Sequence, residues 1–352
     1  MNFQPSLEQE MLRESVAGVL DRVERPVTNA GDWRRALAPL GVYAILLPDM
    51  AGGAGLGMVE AILVAREAGY RAVSAPVSET MAALPILAGI APDAAAAVLD
   101  GTESITVPLS GKVACIGGRL TGRIIVAHAG QADWLALAIG GGKAAVMRMP
   151  GDVALRSPME PDVATATIEL DADLREAGLA DCGDLHSRIG LLRAAELAGA
   201  ARYCFDMSVQ YLKDRSQFGR PIGANQALKH LAAENFVRVE NMRVAVEYAA
   251  CAADTMRRDP EAAAEAENAW RVMSAYVPET ARKVAEDAIQ MHGGIGATRD
   301  FPLNLYLRRI LRLEASFGSN LSRQRMAAAI LEDRVDPSNL ASSRIWHHDR
   351  AV

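Results

Sequence analysis

The spacing of apolar positions divides the chain into three regions and a tail. Residues 1–100 read as helix. Ser6 stands where an N-cap would, with a carboxylate and an amide just inside at Glu8 and Gln9. A second helical run through Trp33–Leu40 stops at Gly41. Val42–Leu47 is a short apolar run closed by Pro48-Asp49, and a helix is predicted over Met58–Gly69. Residues 101–180 change period. Ile105–Leu109, Ala114–Ile116, Arg123–His128, Trp134–Ile139 and Ala144–Met149 are short runs rich in β-branched residues, broken by glycines, and Val163–Leu170 alternates through Thr165, Thr167 and Glu169. These predict a small, shortened antiparallel sheet or barrel of about six strands. Residues 181–335 return to helical spacing over Leu191–Tyr211, Gln226–Met256, Glu261–Met291, Leu303–Leu313 and Leu321–Leu331. In the second of these, Ala232, Val239, Met242, Val246, Ala249 and Ala253 form a bundle seam, and Pro278 is expected to kink or interrupt the third. Residues 336–352 read as a tail. The predicted fold is therefore α with a small β domain: a helical N-terminal domain, a middle antiparallel β domain and a C-terminal four-helix bundle.

Composition narrows the function classes. The 352 residues are 50% hydrophobic, 5% aromatic and carry a net charge of −6. That balance gives no electrostatic case for nucleic acid or a membrane surface. Cys115, Cys182, Cys204 and Cys251 are scattered and make no CxxC, so neither a zinc nor a disulfide framework is predicted. No apolar run reaches membrane-spanning length and the opening residues have no targeting character, so a cytoplasmic protein is expected. His347-His348 is the only histidine pair and reads as solvated rather than metal-binding. The glycines at 52, 53, 55 and 57 fail the GxGxxG spacing. Arg308-Arg309-Ile310-Leu311-Arg312 reads as a solvated or interhelical basic face.

Chemistry concentrates in Asp214–Gln226, between two long alanine-rich helical segments. Arg215 offers a planar fork of donors suited to a phosphate or pyrophosphate. Phe218 offers an apolar plate, Gly219 and Gly223 allow tight backbone paths, and Pro221 keeps the preceding helix from continuing. From spacing alone, a charged turn and a ligand-binding turn are equally open.

The domain order, with Arg215-Ser216-Gln217-Phe218-Gly219 at the first bundle turn, resembles the acyl-CoA dehydrogenases. Ala288-Ile289-Gln290-Met291-His292-Gly293-Gly294-Ile295-Gly296 is similar to that family's Gln-x-x-Gly-Gly-x-Gly segment. The resemblance implies FAD at a subunit interface, oxidation of the Cα–Cβ bond of an acyl-CoA thioester, and an electron-transfer flavoprotein as acceptor. It implies that Arg215 and Gln217 bond the adenosine-diphosphate half of a cofactor held mainly by a neighbouring subunit, while Phe218 packs on it. Asn225 falls on another family contact with a different residue type, and Gln290, Gly293 and Gly294 would line the dinucleotide's path. Without the first motif, Gly293-Gly294 would read as a helix C-cap.

The same resemblance exposes departures. The family's base glutamate falls on Phe317, although Ser319 keeps a hydroxyl toward the flavin; the other family position for the base falls on Ile189. Neither side chain can take a proton. Glu314 could serve only if the register slipped, and Asp184 and Glu196 are weaker substitutes. The family's flavin-covering segment corresponds to Ile105-Thr106-Val107-Pro108-Leu109-Ser110-Gly111, and Trp134 reads as core rather than flavin cover. The chain therefore looks like the reduced, non-catalytic subunit of a heteromeric α2β2 enzyme of the kind that handles steroid side chains, paired with a homologous catalytic subunit. Its alternatives are a self-sufficient homo-oligomer with a relocated base and a flavin monooxygenase of the same fold. Retained contacts for the adenosine half count against the last.

Overall fold

The computed structural model describes residues 5–23, 30–156, 159–160, 162–181 and 185–333. Among them the order is α1 (Leu7–Arg22), α2 (Ala30–Leu37), α3 (Met58–Tyr70), α4 (Val77–Ile90) and α5 (Pro92–Leu99). Then come β1 (Ile105–Thr106), β2 (Ser110–Ile116), β3 (Arg119–Ala127), β4 (Trp134–Gly140), β5 (Lys143–Arg148), β6 (Leu155–Arg156), β7 (Thr165–Asp173) and β8 (Gly178–Asp181). The second helical region is α6 (Leu185–Asp214), the hairpin β9 (Ser216–Gln217) and β10 (Arg220–Pro221), α7 (Gln226–Arg258), α8 (Ala263–His292), α9 (Pro302–Glu314) and α10 (Asn320–Asp333). Asp184, Cys182, His347, His348 and the 336–352 tail lie outside the described residues.

Local signals act as read. Ser6 Oγ accepts from the Gln9 N–H (3.3 Å) while Gln9 Oε1 accepts from the Ser6 N–H (2.9 Å), a reciprocal cap on α1. The run after Gly41 forms a 3-10 turn at Val42–Ala44 and buries Val42, Tyr43, Ile45 and Leu47. The start of α3 is capped from far away: the Asp254 carboxylate on α7 accepts from the N–H groups of Met58 (2.8 Å) and Val59 (3.1 Å). A Cβ at Gly57 would lie 2.3 Å from that carboxylate.

The strand region is larger than the pattern predicts. It forms two four-stranded sheets, β1-β4-β5-β8 and β2-β3-β7-β6, and the β1–β4 pair is parallel. The excess comes from β6 and β8, whose few residues are mostly exposed and carry no apolar alternation to betray them. In β7 the expected alternation holds, with Ala166, Ile168 and Leu170 turned inward. They meet Leu120, Ile124, Val126, Leu135 and Leu137 in one apolar cluster.

The helices before and after the sheets share a single larger core that includes Trp33, Met81, Leu192, Met242, Met273 and Tyr306. The alanine-rich run on α6 works as its small side chains suggest. A Cβ at Gly69 on α3 would stand 2.1 Å from the Glu196 carbonyl oxygen, and one at Gly199 would stand 2.0 Å from that of Arg66. Helices α3 and α6 thus cross backbone against backbone. Helix α8 is not interrupted at Pro278. Its packing on α6, α7 and α9 holds it together against the roughly 3 kcal/mol an interior proline costs. Among the described residues no helix is long and apolar enough to cross a membrane, and no His/Cys/Asp/Glu group could hold a metal ion.

Candidate functional site

Helix α6 ends at Asp214, and the chain turns back at once in the β9–β10 hairpin, pairing Gln217 with Arg220 and Ser216 with Pro221. The two loop residues, Phe218 and Gly219, have φ of +52° and +79°. Positive φ at both positions is the sign pattern of the type I′ turn that suits two-residue hairpins. For glycine this is free; for phenylalanine it costs about 1 kcal/mol or more. Phe218 is nonetheless 99% exposed, so its ring recovers nothing from this chain. The Arg215 guanidinium bonds no other described side chain, while the Ile222 N–H donates to the Arg215 carbonyl (2.8 Å) and closes the base of the hairpin. Gly223 is required by a close approach: a Cβ there would lie 2.7 Å from the Leu212 carbonyl. Asn225, the residue before α7, accepts from Arg220 Nη2 at 3.0 Å.

The second motif lies at the end of α8. Gly293 has φ +67° and terminates the helix, so the C-cap is real, and Gln290, Gly293 and Gly294 are all exposed. Nothing lies within 4 Å of where a Cβ would stand on Gly293 or Gly294. The two motifs are joined beneath by a ring stack. Tyr211, on the last turn of α6, lies on His292, the last residue of α8. Ser319 is elsewhere, as the exposed N-cap of α10, its Oγ accepting from the Ser322 N–H at 3.1 Å.

Among the described residues, the positions considered for the base hold no available carboxylate. Phe317 is half-buried in the turn after α9 and packs on the main core; Ile189 is buried on α6. Glu314 is held by Arg323 (2.6 Å) and Arg282 (3.2 Å). Glu196 is buried and accepts from Ser78 Oγ. Burial, and then the nearby Glu79 carboxylate, push its carboxyl up to about 7. Trp134 packs at the core edge, its Nε1 donating to Glu103 (2.6 Å) and the Arg148 guanidinium 4.0 Å above the ring.

The sequence reading missed one cluster. Arg309 and Arg312 belong to no solvated face. Both are buried, and together they clasp the buried Glu160, with Arg309 Nε at 2.8 Å and Arg312 Nε at 2.7 Å. Burial alone would raise the Glu160 carboxyl, but the two guanidinium groups hold it below the usual carboxylate range. Nearby, Glu79 of α4 and Arg193 of α6 form a buried ion pair at 3.0 Å. His128, buried with φ +60°, is pushed down to about 4 by burial. A signal existed: Arg309 and Arg312 share the apolar face of α9 with Leu303, Tyr306, Ile310 and Leu313.

The architecture agrees with comparisons to known proteins. The family model described as acyl-CoA dehydrogenase, N-terminal domain, matches residues 6–95, and that described as acyl-CoA dehydrogenase, C-terminal domain, matches residues 186–331. Acyl-CoA dehydrogenase IpdE2 of Mycobacterium tuberculosis is 32% identical over 318 residues, covering 87% of this chain and 91% of the relative. Among solved structures, a variant of the Tcur3481-Tcur3483 steroid ACAD superposes with a TM-score of 0.79 at 25% identity, covering 94% of this chain and 99% of that one. The ChsE4-ChsE5 complex from Mycobacterium tuberculosis shares the fold, with a TM-score of 0.77 at 23% identity over 95% of this chain and 99% of that one. On the two domain models and a relative matched along nearly its whole length, the chain belongs to the acyl-CoA dehydrogenase family, a family of oxidoreductases.

Proposed function

We propose that this chain is a subunit of an FAD-dependent acyl-CoA dehydrogenase and lends cofactor contacts to a homologous catalytic subunit. The observation that carries this reading is Phe218. A large apolar ring is held in an unfavourable backbone conformation, wholly in water, at the tip of a two-residue hairpin. The hairpin holds that conformation, and the ring it presents to water supports a contact made with something outside the chain.

The donor set fits a dinucleotide. Arg215 brings a guanidinium bonded to no other described side chain, which would pair with the pyrophosphate, and the Gln217 amide would bond beside it. Phe218 would pack on the adenosine half. Gly293 and Gly294 leave open space where side chains would stand, so the cofactor can approach the backbone, with Gln290 and Asn225 at its edges. Ser319 still has a hydroxyl proton to give on the flavin side. FAD, when bound, supplies the acceptor for the hydride that leaves the β-carbon. The matching proton from the α-carbon needs a base, and Phe317 and Ile189 cannot serve. We therefore assign that base to the sister subunit, steroid-derived acyl-CoA as the substrate class of the pair, and an electron-transfer flavoprotein as its acceptor. A self-sufficient homo-oligomer would need a relocated base, and Glu314, the carboxylate three residues before the family position, is engaged by two arginines.

Expression alone and with a homologous subunit tests the proposal. The expected result is little flavin on the chain alone and one FAD per two chains in the co-purified complex. A homomer that carries one FAD per chain and reduces a dye with an acyl-CoA would overturn it.

A further inference from the structure

Ile189, Arg193 and Glu196 follow one another at helical spacing along one buried face of α6. Facing them on α4 are Ser78 and Glu79. Glu79 Oε1 lies 3.0 Å from Arg193 Nη2 and 3.2 Å from its Nε, while Ser78 Oγ donates to Glu196. Arg193 has further partners: it donates to the carbonyls of Val107 (3.0 Å) and Pro108 (3.2 Å), in the segment that follows β1. One guanidinium thus ties α4, α6 and the start of the strand region together. All four facing side chains are buried.

For a base at the Ile189 position to reach its α-carbon, a thioester's acyl group would lie beside Ile189 on the buried face of α6. One turn further along the same buried face of α6 stands the Glu79–Arg193 pair, across the path an acyl chain would take between α6 and α4. An acyl chain gains free energy by covering apolar walls, at about 25 cal/mol per Å². Displacing one partner of a buried ion pair strands the other, at roughly 3–5 kcal/mol.

We infer that the Glu79–Arg193 pair closes the acyl site of this chain, so that acyl substrate is confined to the sister subunit. The inference rests on the subunit reading above and adds which residues exclude the substrate. It is tested with a CoA thioester bearing a diazirine on its acyl chain, photolysed in the intact holo complex and mapped by peptide mass spectrometry. Labelling is expected on the sister subunit and not on α4 or α6 of this chain. In the Glu79→Ala/Arg193→Ala double variant, which removes both charges and opens space, labelling of α4 or α6 is expected to rise at least tenfold. Labelling of α4 or α6 in the unaltered complex at a level equal to the sister subunit's would overturn the inference, as would a folded double variant that gains none. Flavin content per chain, read on the same samples, reports separately on the subunit reading. If the double variant does not fold, the unaltered complex decides alone.

Discussion

Tyr211 and His292 stack with ring centroids 4.3 Å apart and planes 23° from parallel, joining the last turns of α6 and α8. His292 Nδ1 is anchored on the Ala288 carbonyl at 2.8 Å, which fixes the ring on its own helix. The hairpin carrying Arg215 and the glycines after His292 emerge from the two ends so joined. Replacing the ring should loosen both. His292→Ala is expected to cost about 0.5–1.5 kcal/mol beyond the lost burial and to speed FAD loss from the complex. Thermal melts and flavin release rates check it.

Under the proposed cofactor role, Phe218 separates function from stability. Its exposed ring contributes no packing, and its positive φ suits glycine better. Phe218→Gly is therefore expected to leave the melting temperature of the chain unchanged or slightly raised, within about 1 kcal/mol, while weakening FAD retention in the complex several-fold. A large loss of stability would show that the ring packs within the chain after all.

The Glu160 clasp is expected to behave in the opposite way. Glu160→Ala leaves the buried Arg309 and Arg312 without their shared carboxylate, at a cost of roughly 3–5 kcal/mol. Urea denaturation should show this as a clear fall in midpoint. The same measurement on Glu169→Ala, whose partner Arg123 is exposed, should show less than about 1 kcal/mol.

Glu196 makes stability depend on pH. Its carboxyl is raised in the folded chain from 4.5 to about 7. The folded state therefore holds the proton more tightly than the unfolded one. The resulting stabilisation is complete below 4.5 and lost as pH rises through about 7. His128 acts oppositely: lowered from 6.5 to about 4, it favours the fold above 6.5 and loses that contribution as pH falls through about 4. Glu196→Gln is expected to gain stability relative to the unaltered protein as pH rises from 4.5 to 7, and to hold that gain above it. Paired urea titrations across this window would show a flat difference if Glu196 were not the group responsible.

Gly199 offers a test of the helix crossing. Gly199→Ala drives a methyl group into the Arg66 carbonyl, which is backbone and cannot swing aside. The expected cost is about 1–3 kcal/mol, read from thermal or urea denaturation. Ala at nearby Ala198 shows how little room the neighbouring positions leave: it is 4% exposed.

What the sequence by itself determined is what depends on neighbours along the chain. The Ser6 cap, the inward alternation of β7, the helical seam through Val239, Met242, Val246 and Ala249, and the tight turn at Phe218-Gly219 all follow from residue spacing and backbone preference. So does the absence of a carboxylate at Phe317 and Ile189, once the family motifs set the register. Tertiary structure alone decided what depends on distant elements meeting. Asp254 caps a helix 196 residues away, and Arg309 reaches a carboxylate 149 residues before it. Whether a charged side chain ends in water or in a buried pair is set by which element packs over it, because desolvation is paid only there. The parallel β1–β4 pair and the short β6 and β8 are of the same kind, since they are held by partner strands rather than by their own pattern.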